Sequence, residues 1–370
     1  MLSATLRGSL ELLRTLRFEV GAIRPPSEGG SRSLLLRFTR NCPWSRCKFC
    51  YGLPYDRKPF QVRLIDEIKA DIDSVKLTLM ELRQLSRELG LRGEVDGRLA
   101  STLFSLDPSL AFNPWLHLVL EWAMAGCKTC FIQDADSLIM RTDRLVEALK
   151  HLRSELPSLE RVTSYARAKT LCRKSLEELK EVRAAGLTRL HVGLESGDDG
   201  VLRYVDKGVT AEEQVEAGLK AMEAGFQLSE YVMPGLGGLD RWREHAVNTA
   251  EALNKINPHY IRVRSLVPRR GTPLYEDYVQ GRFKLLSPHG YVREIKLFVE
   301  HLDVDSRLCF DHFCNPSYRG ERGLIHVFKL DSEGYKLPDE KEEVLKAADR
   351  ALEVEEDRFI KPQDLAEVPL

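Results

Sequence analysis

Three cysteines stand within nine residues in the stretch RNCPWSRCKFCYG (Arg40–Gly52): Cys42, Cys47 and Cys50, spaced Cys-x4-Cys-x2-Cys. The 370-residue chain has only eight cysteines, so this loop concentrates its thiols. Thiolates so arranged suit either an iron–sulfur cluster or zinc. A structural zinc site takes four protein ligands, and no further Cys or His lies close in sequence after Cys50. Three ligands on a four-iron cluster would instead leave one iron open to a small molecule.

Other residues with chemical capacity recur at intervals. Asp134 and Asp136 lie in QDADS (Gln133–Ser137), Arg167 follows an apolar run, and Glu195 lies in LESG (Leu194–Gly197). Gly235 and Gly237 belong to PGLGG (Pro234–Gly238), where the missing Cβ would let backbone approach a ligand. Arg262, Arg264, Arg269 and Arg270 offer positive charge to a carboxylate or phosphate, or form a surface cluster. Asp134, Asp136 and Arg167 read equally well as internal ion pairs, and Glu195 as a salt-bridged carboxylate. Cys309 and Cys314 bracket Asp311 and His312, with Asn315 next. Two thiols are too few for a second cluster, so substrate contact by Asp311, His312 and Asn315 is weighed against hydrogen bonding within the protein. Cys127-x-x-Cys130 resembles a redox pair in spacing but reads as buried thiols, and Cys172 reads as core.

Holding such scattered residues together takes a regular scaffold, and the pattern supplies one. Six strand-like runs occur at about 34–39, 129–133, 161–165, 189–193, 228–233 and 260–264. Helical spacing fills the gaps, beginning with Ile65, Ile68, Ile72, Val75, Leu79 and Leu82. Helices start at Asn113-Pro114 and at two capping boxes, Ser175-x-x-Glu178 and Thr210-x-x-Glu213. They stop at Ala125-Gly126, Ala185-Gly186 and Ala224-Gly225. Strands alternating with helices imply an α/β fold with a parallel sheet, either a partial (β/α)6 TIM-like barrel or a doubly wound sheet. In both, functional residues gather at the carboxyl ends of strands, where the cysteine loop, Gln133–Ser137, Arg167, Leu194–Gly197, Pro234–Gly238, Arg264, Arg269 and Arg270 fall, whereas Cys127-x-x-Cys130 sits at the amino end of the second strand. The expected division is an N-terminal extension over 1–32, a β/α barrel over 33–275 and a C-terminal, mostly helical cap over 276–370.

Taken together, RNCPWSRCKFCYG, FIQDADSL, HVGLESGDDGVLRYVDKGVT, VMPGLGG and IRVRSLVPRRGTPL resemble the radical S-adenosylmethionine superfamily, in the branch of oxygen-independent coproporphyrinogen oxidase and the methylthiotransferases. The resemblance spans roughly residues 33–275 and settles on the partial barrel. It departs in one respect: the usual Cys-x3-Cys-x2-Cys has gained a residue among Pro43, Trp44, Ser45 and Arg46. The resemblance implies a [4Fe-4S] cluster on Cys42, Cys47 and Cys50, with S-adenosylmethionine on the open iron, cleaved by one electron to a 5′-deoxyadenosyl radical. It implies Phe49 against the adenine with Tyr51 and Gly52 continuing that wall, and Glu195 on the ribose hydroxyls. Asp134 and Asp136 would then lie near the methionine amino group, Arg167 near its carboxylate, and Gly235 and Gly237 beside the adenosine.

The totals narrow the setting. With 43% apolar and 30% charged residues the chain can bury a large core. A formal net charge of −1 argues against a broad nucleic-acid surface, and no apolar run reaches the length of a membrane span. The expected setting is the cytoplasm, the expected partners a small-molecule or peptide substrate and a one-electron donor such as flavodoxin or ferredoxin. No cobalamin-binding or RNA-binding domain is evident. Two alternatives stay open: a zinc-stabilised, non-catalytic binding protein and a porphyrinogen oxidase-like enzyme.

Overall fold

A computed structural model describes residues 4–30 and 32–367. Residues 1–3, 31 and 368–370, at the edges of the expected extension and cap, lie outside the described residues. The strands form where the apolar runs place them: β1 (Leu34–Arg37), β2 (Thr129–Gln133), β3 (Arg161–Ala166), β4 (Arg189–Glu195), β5 (Gln227–Val232) and β6 (Tyr260–Val263). A seventh, β7 (Arg307–Cys309), lies beyond them in sequence.

The chain divides into two compact units, one of Met1–Arg40, Phe60–Tyr165 and Glu181–Thr188, the other of Asn41–Pro59, Ala166–Lys180 and Arg189–Leu370. In the first, β1, β2 and β3 pair in parallel, Leu34 opposite Cys130 and Cys130 opposite Val162. Arg37 ends β1. Thr39–Arg40 then turns into a two-residue antiparallel ribbon with Gln61–Val62, so the first strand is shorter than its apolar run. The Ile65–Glu88 helix buries Ile68, Ile72, Val75, Leu79 and Leu82, the stripe its spacing predicts.

In the second unit β4, β5, β6 and β7 run parallel in that order, and Tyr335–Lys336 closes the edge antiparallel to β7. The fold class is α/β, with parallel strands in each unit. The region after residue 275 supplies helices Pro288–His301 and Lys341–Leu352, and also β7. Three residues reading Arg-Leu-Cys carry too little pattern to announce a strand; β7 exists because it completes the ladder of β6.

In-register residues of neighbouring strands share a face. One face carries the row Val192, Glu230, Ile261 and Leu308; the other carries His191, Ser229, Tyr260 and Arg307, then Gly193, Tyr231, Arg262 and Cys309. The polar side chains are thus gathered on one face of this sheet, and that face carries the chemistry. Glu230 is the exception on the apolar face, and burial raises its carboxyl well above the usual range, Glu195 adding to the shift and Lys207 opposing it. Both capping boxes form: Ser175 and Glu178 exchange side-chain to backbone bonds, as do Thr210 and Glu213.

Candidate active site

The cysteine loop belongs wholly to the second unit. Its turn is set by backbone alone: Cys50 N and Tyr51 N both donate to Cys47 O, at 2.9 and 2.7 Å. Ser45, Tyr51 and Gly52 adopt left-handed φ of 48°, 47° and 66°. Ser45 lies in the lengthened first arm and folds it back, its hydroxyl bonded to Cys42 O at 2.9 Å. A left-handed residue reverses the chain locally, which is how the longer spacing is absorbed.

Three later segments clamp the loop. Lys48 N donates to Val205 O at 2.8 Å, and Leu274 N donates to Lys48 O at 3.1 Å. Trp44 Nε1 donates to Asp206 O at 2.7 Å, and Trp44 lies where a Cβ on Gly208 would stand, 2.5 Å from its ring. Gly208 therefore seats the tryptophan. Lys48 Nζ reaches Asp277 at 2.9 Å and lies 4.2 Å from the centre of the Tyr204 ring, whose hydroxyl also bonds Asp277.

Burial works to raise the Asp277 carboxyl, but Lys48, Arg282 and Tyr204 outweigh it and hold it at about 2 against an ordinary 3.8. A depressed carboxylate contributes stability above its unfolded value and loses it as pH falls through the folded one. The clamp is therefore expected to weaken between about pH 4 and 2. Denaturant unfolding followed against pH checks this: Asp277→Asn should lower stability near neutrality and flatten the acid limb.

Cys42, Cys47 and Cys50 are free thiols, each partly buried. Burial pushes Cys47 up to about 12, and the neighbouring thiols add to the shift while Lys207 and Arg167 oppose it. Burial likewise raises Cys50, against Arg264 and Lys207. The three sulfurs thus feel one another and a ring of cations suited to offset thiolate charge. Three thiolates are one donor short of a structural zinc site and are the donor set of a [4Fe-4S] cluster with one open iron, so Cys42, Cys47 and Cys50 would fit such a cluster.

Lys207 is the residue that sequence reading missed, although its DKG motif stood out. Its Nζ reaches Glu195 Oε1 at 3.1 Å and lies 5.8 Å from the Phe49 ring centre. Glu195 ends β4 with φ +64°, and its carbonyl accepts from Met233 N at 3.0 Å and contacts His245 Nε2 at 3.2 Å. Gly193 makes room for the pair, since a Cβ there would lie 2.4 Å from Glu195 Oε1 and 3.0 Å from Lys207 Nζ. Behind it, buried Glu294 bridges His245 Nδ1 at 2.6 Å and Gly235 N at 2.8 Å. Glu294 and His245 tie the Glu195 backbone to the PGLGG turn, and this pair, 49 residues apart, was not legible in the sequence.

Other expected residues fall differently. Gly235 has φ +90° and its Cβ position is taken by Tyr291, while that of Gly237 is taken by Arg241 and His245. Packing by itself leaves no room for a Cβ at either position. Arg167 donates to Lys207 O at 3.2 Å and stacks 5.2 Å from the Trp44 ring centre. Phe49 packs on the core of Val201, Val205 and Leu274, and Tyr51 is exposed. Asp134 and Asp136 are fully buried in the first unit, where Asp134 pairs with Arg37 at 2.6 Å, the internal-ion-pair reading. Cys127 and Cys130 are buried thiols; Cys172 is partly exposed and donates to Glu213 O.

On the polar face Arg262 is 1% exposed, and its guanidinium bonds Ser229 Oγ, Asp311 Oδ2 and Ser332 O. Asn315 accepts from Ser265 N and Oγ and donates to Val263 O, so both ends of its amide are used. His312 sets its ring edge-on to Tyr231, which sits edge-on to His191.

A family model described as the radical SAM superfamily matches residues 114–250. That stretch includes Glu195, Lys207 and the PGLGG turn and begins after the cysteine loop. Elongator complex protein 3 of Homo sapiens is 29% identical over 153 residues, 41% of this chain and 27% of that protein. The tRNA uridine(34) acetyltransferase of Methanocaldococcus jannaschii is 24% identical over 109 residues, 29% of this chain and 20% of that protein. The chain thus spans about a quarter of the length of the curated relatives it matches. Among solved structures, the archaeal Methanocaldococcus infernus Elp3 with an N-terminal deletion is 16% identical, with 66% of this chain and 61% of that one covered and a TM-score of 0.45.

Proposed function

We propose that this chain is a radical S-adenosylmethionine enzyme that holds a [4Fe-4S] cluster and cleaves S-adenosylmethionine reductively to activate a carbon–hydrogen bond of a small-molecule or peptide substrate. The observation that carries this reading is the convergence of three free thiols and the cations Lys207 and Arg167 on one clamped loop. When bound, the cluster supplies the single electron for breaking the sulfonium–carbon bond. Cys42, Cys47 and Cys50 would hold it, while Lys207 and Arg167 offset its negative charge. Glu195, with its backbone bonded to Met233 and His245 and its carboxylate paired with Lys207, would accept from the ribose hydroxyls. Phe49 offers its ring to the adenine, with the Tyr51 and Gly52 backbone continuing that wall.

No described helix is long and apolar enough to cross a membrane. The reading takes a reducing, cytoplasmic setting and a flavodoxin- or ferredoxin-like electron donor. The relatives' names include an RNA substrate, but the net charge of −1 favours a substrate other than nucleic acid here.

The test is anaerobic reconstitution. The protein is expected to bind about four irons per chain with a matching amount of sulfide, and to form 5′-deoxyadenosine from S-adenosylmethionine once dithionite is added. A colourless chain carrying one zinc, or one whose three thiols stay freely alkylated after reconstitution, overturns the proposal.

A further inference from the structure

We propose that Arg264, with His312 beside it, receives a carboxylate of the substrate, which places that substrate among small carboxylic acids. This rests on the function proposed above and adds to it the chemistry of the molecule acted upon.

The structure sorts the polar groups of two segments, 262–265 and 311–315, into those already satisfied and those left open. Arg262 is spent on Asp311, Ser229 and Ser332, and Asn315 on Ser265 and Val263. Arg269, the next guanidinium along, has partners of its own. Arg264 differs: its guanidinium makes no hydrogen bond or ion pair among the described residues, although the side chain is partly buried. Its backbone N still bonds Val232 O at 2.9 Å, so the chain keeps strand geometry one step past β6. Two residues after Arg262, Arg264 therefore emerges on the same polar face.

What surrounds it gives the position a purpose. Both chain neighbours of Arg264 bond Asn315, Ser265 through its N and Oγ and Val263 through its O, which sets Arg264 alongside the 311–315 segment. Arg264 also acts electrostatically on the Cys50 thiol and the His312 imidazole. His312 Nε2 is buried without a hydrogen-bond partner, and one oxygen of Asp311 is likewise unpaired. Burial, helped by Arg264, Arg262 and His191, holds the imidazole well below its ordinary value, so the ring is neutral and offers one N–H. Its edge-on contact with Tyr231, 5.8 Å between centres, fixes where that N–H points. An unpaired, partly desolvated guanidinium beside a neutral imidazole donor is costly until an anion arrives. One guanidinium and one N–H match the single charge and two oxygens of a carboxylate.

The test is calorimetric titration with succinate, inorganic phosphate and uncharged succinamide, on the chain before and after iron reconstitution and with or without S-adenosylmethionine. Because the subsite consists of the chain's own side chains, binding is read whether or not iron loads, and iron uptake separately judges the function proposed above. Wild type is expected to bind succinate and not succinamide. Arg264→Gln should weaken succinate by about tenfold or more, the weight of one charge-assisted contact, with Arg264→Lys recovering part. His312→Phe should weaken it severalfold. S-adenosylmethionine affinity should stay unchanged in Arg264→Gln. A comparable loss of S-adenosylmethionine affinity would assign the guanidinium to the cosubstrate and overturn the inference. So would tighter binding of phosphate than of succinate, or succinate binding that is absent or indifferent to Arg264.

Discussion

Cys47→Ala is expected to fold, to hold well under half the iron of the wild type and to form 5′-deoxyadenosine at more than about a hundredfold lower rate. The loop does not depend on the thiol for its shape, since its turn and clamps are backbone bonds at Cys47 O, Lys48 N and Lys48 O, together with Trp44 and Gly208. Circular dichroism and the unfolding midpoint should therefore stay close to wild type while iron, visible absorbance and product fall together. Cys42→Ala and Cys50→Ala should behave alike. Cys172→Ser, outside the loop, should leave all three readouts in place. A Cys47→Ala chain with full iron content would remove that sulfur from the proposed ligand set.

The largest stability effect is expected at Asp311. Its side chain is 3% exposed and that of its partner Arg262 is 1%, with the two 2.5 Å apart. Burial raises the Asp311 carboxyl and Arg262 opposes the shift, so the pair is a balance between desolvation and attraction. Asp311→Leu strands a guanidinium on the polar face and should cost about 3–5 kcal/mol, because a buried charge is left without its paired carboxylate. The double variant Arg262→Met with Asp311→Leu should recover most of that, since two apolar side chains of similar volume remove the desolvation penalty along with the attraction. Urea unfolding of the two single variants and the double variant measures the coupling. A double variant as unstable as Asp311→Leu would show that Arg262 matters through Ser229 and Ser332 instead.

Much of the scaffold is legible in the sequence because parallel strands buried against helices are written as apolar runs, and helix ends as capping boxes and Ala-Gly pairs. β2 through β6 fall within a residue or two of the runs TCFIQ, RVTSY, RLHVG, LSEYVM and YIRVR. β7 is not legible, since its three residues draw their strand character from β6 rather than from local pattern. The cysteine loop announces itself by composition. Its supports do not, because a lysine in a turn (Lys207) and a His–Glu pair across two helices (His245 and Glu294) have ordinary local sequences and meet only in the fold. The glycines of the PGLGG turn stand out in the sequence, and the fold adds a reason that the sequence could not show: Tyr291 and Arg241 occupy the space a Cβ would need.

The clamps on the cysteine loop join residues 162 and 229 positions apart, Trp44 to Asp206 and Lys48 to Asp277. A ribosome delivers the three thiols early and their fasteners late. Until residue 277 has cleared the exit tunnel, the nascent segment has no fixed geometry to offer an iron-delivery system, because such distant closures form only once the intervening chain has condensed. If the proposed function holds, iron loading is therefore expected only after residue 277 has been made, and products truncated before that point are expected to keep exposed thiols.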